Sequence, residues 1–268
     1  MKLSTATKLL SEAGIDDARF EARMLFCEIA GFKNSELYGC DCESNSAELI
    51  SAVERRIKRE PLQYIIGEVD FYKERYKVTP DTLIPRSDTE ILVEEVIKRL
   101  PDGARFTDIC TGSGCIALSV LNNTRETSAV ALDISDQALS VAKENAKRLS
   151  LDSRVEFIEA DALEKALDGK FSAVISNPPY VTEKAYENLM PEIYFEPKIA
   201  FVGGVDGLVF YRRILSLYEE SLEKGGFFAF EIGYDQAQAL VNLAEEYSMK
   251  CEIINDYSGN PRVAILKK

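Results

Sequence analysis

The sequence predicts an α/β fold, a doubly wound, Rossmann-like sheet preceded by a small N-terminal helical domain and joined to it by a β-hairpin. Three observations carry that expectation. From residue 104 onward, short apolar runs of strand length alternate with amphipathic segments of helix length. The first sixty residues show helix-like spacings without that alternation. Between them, residues 62–85 are rich in β-branched and aromatic side chains, the composition of a hairpin. The expected domains are 1–76, a helical domain suited to docking a substrate together with its hairpin linker, and 77–268, the larger sheet domain.

Each element has a local reason. Ser4 can cap a helix that runs to Gly14, and Asp16 or Asp17 can open a second that ends at Gly31. Phe20, Met24, Leu25, Cys27 and Ile29 supply its apolar positions. Asn45 with Glu48 has the capping-box spacing for a third helix, stopped by Pro61, and Ser87 with Glu90 repeats the spacing for a helix that ends at Pro101. Strands are expected over 104–109, 128–132, 154–159, 171–175 and 226–232, with helices over 115–123, 135–149 and 235–247. Residues 251–268 read as two strands around an Asn-Pro turn, a hairpin at the sheet edge. One connection is too long: about 25 residues separate Pro178 from Val202 where two to six are usual, and long ordered loops generally carry function.

Composition narrows the chemistry. The chain has 268 residues and a net charge of −13, so it exerts no general pull on nucleic acid. It contains no run of about 18 apolar residues, and its N-terminus lacks the apolar core of a signal peptide, so a cytoplasmic location without membrane contact is expected. There is no histidine, which removes His-based catalysis and the common Cys/His zinc sites. The six cysteines are scattered and are expected to be reduced, with no metal bound.

The chemistry gathers where strands end. Asp108-Ile109-Cys110-Thr111-Gly112-Ser113-Gly114 follows the first strand of the alternating region and opens a helix. Glycines there let a ligand approach the backbone, Asp133 after the next strand can take both ribose hydroxyls, and Asp161, with Ala162 beside it, can take an adenine NH2. NAD and S-adenosylmethionine both fit this much. Asp108 favours the second, because an acid at the loop would repel a pyrophosphate and suits the cationic end of a methionine moiety. After the strand at 171–175 comes Ser176-Asn177-Pro178-Pro179-Tyr180. Each proline fixes its own φ and holds the preceding residue extended. The Asn177 side-chain oxygen and the Pro178 carbonyl thereby become two stiff acceptors, with the Tyr180 ring close by, a set that suits a planar NH2 group.

These segments resemble S-adenosylmethionine-dependent amino-methyltransferases and, more specifically, the bacterial release factor glutamine methyltransferases. PLQYIIG, FYKERYKVTPDTLIPRSDTEILVE, DICTGSGCIALSV, ALDISDQALSVAKENA, VISNPPYV, EPKIAFVGGVDGL and FEIGYDQ are similar to segments of that family, in its order, over nearly the whole chain. NPPY is shared with DNA and RNA amino-methyltransferases; LIPR before the domain, with EP and GGVDGL after NPPY, is more specific. The resemblance implies a methyltransferase domain over 77–268 and S-adenosylmethionine as cofactor, held by Asp108, Cys110, Thr111, Gly112, Ser113, Gly114, Asp133, Asp161, Ala162 and Asn177. It implies a protein substrate, the Gly-Gly-Gln glutamine of class-one peptide release factors, bound at Asn177, Pro178, Pro179 and Tyr180. Asn177, Pro178 and Tyr180 are then the catalytic residues. Three positions depart from the family: Cys110 stands for its usual glycine, and Ser87 and Asp88 for its usual proline and glutamate. The competing readings are an amino-methyltransferase acting on an extruded DNA or RNA base, a non-catalytic cofactor-binding adapter, and an NAD-dependent oxidoreductase, which NPPY disfavours.

Overall fold

A computed structural model describes residues 1–268 as two compact units. One comprises Met1–Val69 with Met190–Phe195, the other Asp70–Leu189 with Glu196–Lys268. No helix is long and apolar enough to cross a membrane.

The first unit packs helices α1 (Leu3–Glu12), α2 (Ala18–Glu28) and α3 (Ala47–Ile57) around Leu10, Ala22, Leu25, Phe26, Leu49 and Val53, all fully buried. The caps differ from expectation by a residue or by their origin. Ser4 lies inside α1, and the Asp41 carboxylate takes its backbone N–H and its hydroxyl, both at 2.8 Å. Ser46 rather than Asn45 caps α3, its Oγ accepting from Leu49 N at 3.2 Å. A short helix, α4 (Leu62–Ile66), stands where a strand was expected. Pro61 opens it, Gly67 at φ +84° closes it, and Leu62 and Ile65 share one face of its single turn and join the helical core. Burial of that face outweighs the β propensity of the residues. Segment Met190–Phe195 belongs to this unit through Glu192, which takes Arg56 at 3.0 Å and Arg59 at 2.8 Å. Cys40 and Cys42 are disulfide-bonded, against the expectation of reduced thiols; Cys27, Cys110, Cys115 and Cys251 are free.

The chain passes between units inside β1 (Glu68–Phe71), which pairs with β2 (Glu74–Lys77) as the expected hairpin. Helix α5 (Thr89–Arg99) follows, but without the capping box. Glu90 Oε1 instead accepts the N–H of Tyr72, the left-handed hairpin residue (φ +58°), at 2.8 Å. The alternating region then runs β3 (Arg105–Ile109), α6 (Cys115–Asn122), β4 (Ser128–Asp133), α7 (Asp136–Arg148), β5 (Val155–Glu159), β6 (Phe171–Ser176), α8 (Glu183–Tyr186), α9 (Val209–Tyr218), β7 (Leu222–Glu231), α10 (Ala237–Glu246), β8 (Lys250–Asn255) and β9 (Pro261–Lys267).

The seven strands lie in the order β5-β4-β3-β6-β7-β9-β8, all parallel except β9, which runs antiparallel to both neighbours. Strand β6 is buried at every residue, as expected for a strand covered on both faces. Strand order reverses between β3 and β6, and a sheet of this kind opens a crevice at such a switch point, beyond the carboxyl ends. Register makes the crevice specific. Ile109 pairs with Leu132 on one side and with Ser176 on the other. Cys110, Asp133 and Asn177 are each the next residue, so the three chains leave the sheet side by side.

Candidate active site

The turn after β3 depends on backbone handedness. Cys110 and Gly112 have φ of +62° and +56°, the left-handed region, which explains why a glycine suits position 110 and shows that cysteine can occupy it. Gly114, at φ +80°, begins α6 where a Cβ would come within 3.1 Å of Ala142 on α7. A Cβ at Gly112 would meet nothing within 4 Å, so that face of the turn is open.

Asp108 lies beneath this turn and is fully buried. Its Oδ2 accepts from Thr111 Oγ1 at 2.6 Å and from Ala117 N at 3.3 Å, while Oδ1 has no partner. Burial pushes its pKa up to about 7, against the pull of those bonds. Asp133 accepts from Gly112 N at 2.8 Å and Ser135 N at 3.0 Å; burial raises its pKa too, opposed by the backbone donors. Asp161 accepts from Leu163 N at 2.8 Å. Burial holds the Cys110 thiol well above its usual range, so it stays neutral.

After β6, Ser176 Oγ donates to Ile109 O at 2.6 Å and ties the two strand ends together. Asn177 Nδ2 donates to Thr89 Oγ1 at 3.4 Å. Neither the Asn177 side-chain oxygen nor the Pro178 carbonyl accepts a hydrogen bond from the rest of the chain. Tyr180 donates its hydroxyl to Glu231 Oε1 at 3.1 Å, and burial keeps that phenol protonated.

The long connection returns to this motif. Val181 N donates to Phe201 O at 2.8 Å, and Gly203 N to Val181 O at 2.9 Å. The approach is so close that a Cβ on Gly203 would lie 2.8 Å from Tyr180 Cα, with the Pro179 carbonyl oxygen nearer still. Gln236 clamps the same crossing, its Nε2 donating to Tyr180 O and Gly207 O, each at 3.2 Å. Nearby, the buried Glu196 carboxylate takes Arg86 in an ion pair and Ile84 N at 2.9 Å, so the LIPR and EP segments form one structure.

The result is a cleft of about 440 Å³, within the usual range for a small-molecule site. Its wall includes Cys110, Gly112, Asp133, Asp161 and Ala162 on one side of the switch point, with Asn177 and Pro179. Asp108, Thr111, Ser113 and Gly114 are not on the wall; Asp108, Thr111 and Ser113 are buried behind the turn they shape. Pro178 and Tyr180 likewise lie outside the wall, Tyr180 turned to Glu231. Wall residues that sequence reasoning missed include Leu83, Ile134, Ile199 and Phe210, apolar positions of which the first three lie inside recognised segments and the last just beyond one. Thr89, Glu231 and Gln236 were missed as supports of NPPY, although the last two lie within FEIGYDQ.

Comparison with known proteins decides the family. Residues 2–67 match the PrmC N-terminal domain and residues 87–196 the methyltransferase small domain. A release factor glutamine methyltransferase of Thermodesulfovibrio yellowstonii is 40% identical over 257 residues, 92% of each chain. The chain belongs to the release factor glutamine methyltransferase family. Another member, from Caulobacter vibrioides, is 36% identical over 274 residues, covering 99% of this chain and 95% of that one. More distant methyltransferases share the fold alone. A ribosomal protein L11 methylase from Lactobacillus delbrueckii subsp. bulgaricus has a TM-score of 0.50 at 20% identity, covering 68% of this chain and 79% of that one. The M. jannaschii tRNA m1G37 methyltransferase has a TM-score of 0.51 at 18% identity, covering 75% and 55%.

Proposed function

We propose that this family member transfers a methyl group from S-adenosylmethionine to the side-chain amide nitrogen of the Gly-Gly-Gln glutamine of class-one release factors, in the cytoplasm. The observation that carries the reading is Asn177 on the cleft wall, its side-chain oxygen and the neighbouring Pro178 carbonyl both unused by the rest of the chain.

The residues present fit the cofactor. Space is open over Gly112. Each Asp133 oxygen has one N–H donor and keeps a lone pair for a ribose hydroxyl. Asp161 and Ala162 would border the adenine, and Cys110 and Asn177 the reacting end. Asp108, with one unpartnered oxygen, would favour a cationic methionine end through its field rather than by contact, once it is ionised above about pH 7. When bound, the cofactor supplies an electrophilic methyl group on a sulfonium.

A glutamine amide is a poor nucleophile because its nitrogen lone pair is shared with its carbonyl. Asn177 Oδ1 and the Pro178 carbonyl would each accept one of its N–H groups and aim the nitrogen at the methyl. Positive charge developing at nitrogen would strengthen both bonds, so stabilisation grows toward the transition state. As the nitrogen–methyl bond formed, the methyl–sulfur bond would break to leave neutral S-adenosylhomocysteine, and one amide proton would then pass to water. Pro179, on the cleft wall, would border the amide plane, and Tyr180, tied to Glu231, would brace the motif from outside the wall. The helical unit, which the structure ends at Val69 rather than at the expected residue 76 and which includes Met190–Phe195, would dock the release factor.

The test is transfer of labelled methyl from S-adenosylmethionine to a purified release factor, followed by mapping. Label on the Gly-Gly-Gln glutamine supports the reading. Label in DNA or RNA instead, or cofactor binding with no transfer to the release factor, refutes it.

A further inference from the structure

Glu231, at the end of β7, is a buried carboxylate outside the cleft wall that the transfer chemistry does not call for. Two hydroxyls converge on it: Thr89 Oγ1 donates to Oε2 at 2.5 Å and Tyr180 to Oε1 at 3.1 Å. Thr89, itself buried, stands between Glu231 and Asn177, whose Nδ2 lies 3.4 Å from the Thr89 oxygen. Arg262 on β9 is the cation beside this group; it pairs with Asp88 at 3.2 Å and Asp256 at 3.4 Å. Burial raises the pKa of Glu231 and Asp88 adds to that, whereas Thr89, Arg262 and Tyr180 favour the ionised form.

The polarity of this chain has a consequence. An ionised carboxylate only accepts, and a threonine hydroxyl has a single proton. With that proton given to Glu231, Thr89 offers Asn177 lone pairs alone. The asparagine must therefore turn its NH2 toward Thr89, which leaves Oδ1 as the free end of an amide that borders the cleft. We infer that Glu231 is a positioning residue: through Thr89 it sets which end of the Asn177 amide meets the substrate, and through the Tyr180 hydroxyl it anchors the ring of the same motif. The inference rests on the reading of Asn177 as acceptor for the substrate amide.

Glu231→Gln reverses the relay without changing its shape, because its single oxygen goes to the Tyr180 phenol, the stronger donor and weaker acceptor of the two hydroxyls, and its NH2 then faces Thr89. The new NH2 can donate to Thr89, whose proton is then free for Asn177 Oδ1, and the asparagine turns its NH2 toward the substrate NH2. We expect kcat on the release factor to fall about 100-fold, the scale of a lost or misdirected transition-state contact, with cofactor Kd unchanged. Thr89→Val should do the same, and Thr89→Ser should restore turnover. The double variant Glu231→Gln/Thr89→Val should be no slower than either single, since the two act in series. Near-normal turnover in Glu231→Gln, multiplied losses in the double variant, or a Thr89→Ser as slow as Thr89→Val would overturn the inference. Should Glu231→Gln fail to fold, the Thr89 pair decides. A second readout needs no release factor: the 15N-labelled side-chain amide signal of Asn177, assigned by its loss in Asn177→Ala. It should move in Glu231→Gln and Thr89→Val and return in Thr89→Ser. If the wild type did not methylate a release factor, the functional reading would fail, and this signal alone would decide: movement supports the role of Glu231, and an unmoved signal overturns it.

Discussion

Replacing Gly203 by alanine should damage catalysis more than its single methyl group suggests. The added Cβ would lie 2.8 Å from Tyr180 Cα and 2.9 Å from the Pro179 carbonyl carbon, with the Pro179 oxygen closer. All three are backbone atoms, so no rotamer change relieves the clash. Ordinary van der Waals separation requires the backbone at Gly203 to retreat by roughly 1 Å, a shift that overpacking of this kind makes worth about 1–3 kcal/mol. The retreat also stretches the Gly203 N to Val181 O bond (2.9 Å) and the Val181 N to Phe201 O bond (2.8 Å), each worth about 0.5–1.5 kcal/mol. The expected loss is about 2–6 kcal/mol, read as a melting-temperature drop of about 2–4 °C per kcal/mol for a domain of this size. Because the strained backbone is that of NPPY, a misplacement of about 1 Å there should lower kcat about 100-fold. Steady-state methyl transfer and a thermal melt on the same preparation measure both. A Gly203→Ala protein with wild-type melting and wild-type kcat would refute the claim that this crossing sets the geometry of the motif.

Other expectations follow from buried charge. Folded Asp108 holds its proton up to about pH 7, against 3.8 for an ordinary aspartate, so between these values the native state binds the extra proton. The stability this contributes is full below the ordinary value and is lost as pH rises through about 7, by up to about 1.4 kcal/mol per pH unit. Without cofactor, wild-type melting should fall from pH 5 to 7 more steeply than that of Asp108→Asn; parallel curves would contradict this. Arg86→Ala strands the Glu196 carboxylate, whose side chain is 1% exposed; Arg86 is 38% exposed. Water can reach the vacated side, so the loss should be about 1–3 kcal/mol rather than the full value for a buried pair. In thermal melts, Arg86→Ala/Glu196→Gln should be more stable than Arg86→Ala alone; the reverse order would show that the carboxylate is not stranded.

Much of this arrangement is legible in the chain because the strongest signals are local. The run from Phe171 to Ser176 is buried throughout, and the helix expected from residue 135 begins there, with Ser135 as its cap, accepting from Ala138 N at 3.1 Å. The glycine turn, the acids after successive strands and NPPY all converge on one crevice because strand register carries them there. What was misread depends on partners distant in sequence. Leu62 to Ile66 has strand composition but forms one helical turn on the helical core. Ser87 and Glu90 have the spacing of a capping box, yet Glu90 serves the Tyr72 N–H, 18 residues away. Glu231 reaches Thr89 across 142 residues, a distance no local pattern spans. Asp108 reads as a ligand contact, whereas its bonds to Thr111 and Ala117 show it bracing the turn from below.

In the proposed chemistry, Asn177 and the Pro178 carbonyl hold and polarise the glutamine amide. Asn177→Ala removes one of the two acceptors and, within the protein, only a hydrogen bond of 3.4 Å. Methyl transfer to a release factor should therefore slow by about 100- to 1,000-fold in kcat, as when one transition-state hydrogen bond is lost, while cofactor Kd rises far less and the melting temperature stays at its wild-type value. A variant with near-normal kcat would contradict the account, whatever its affinity for the cofactor.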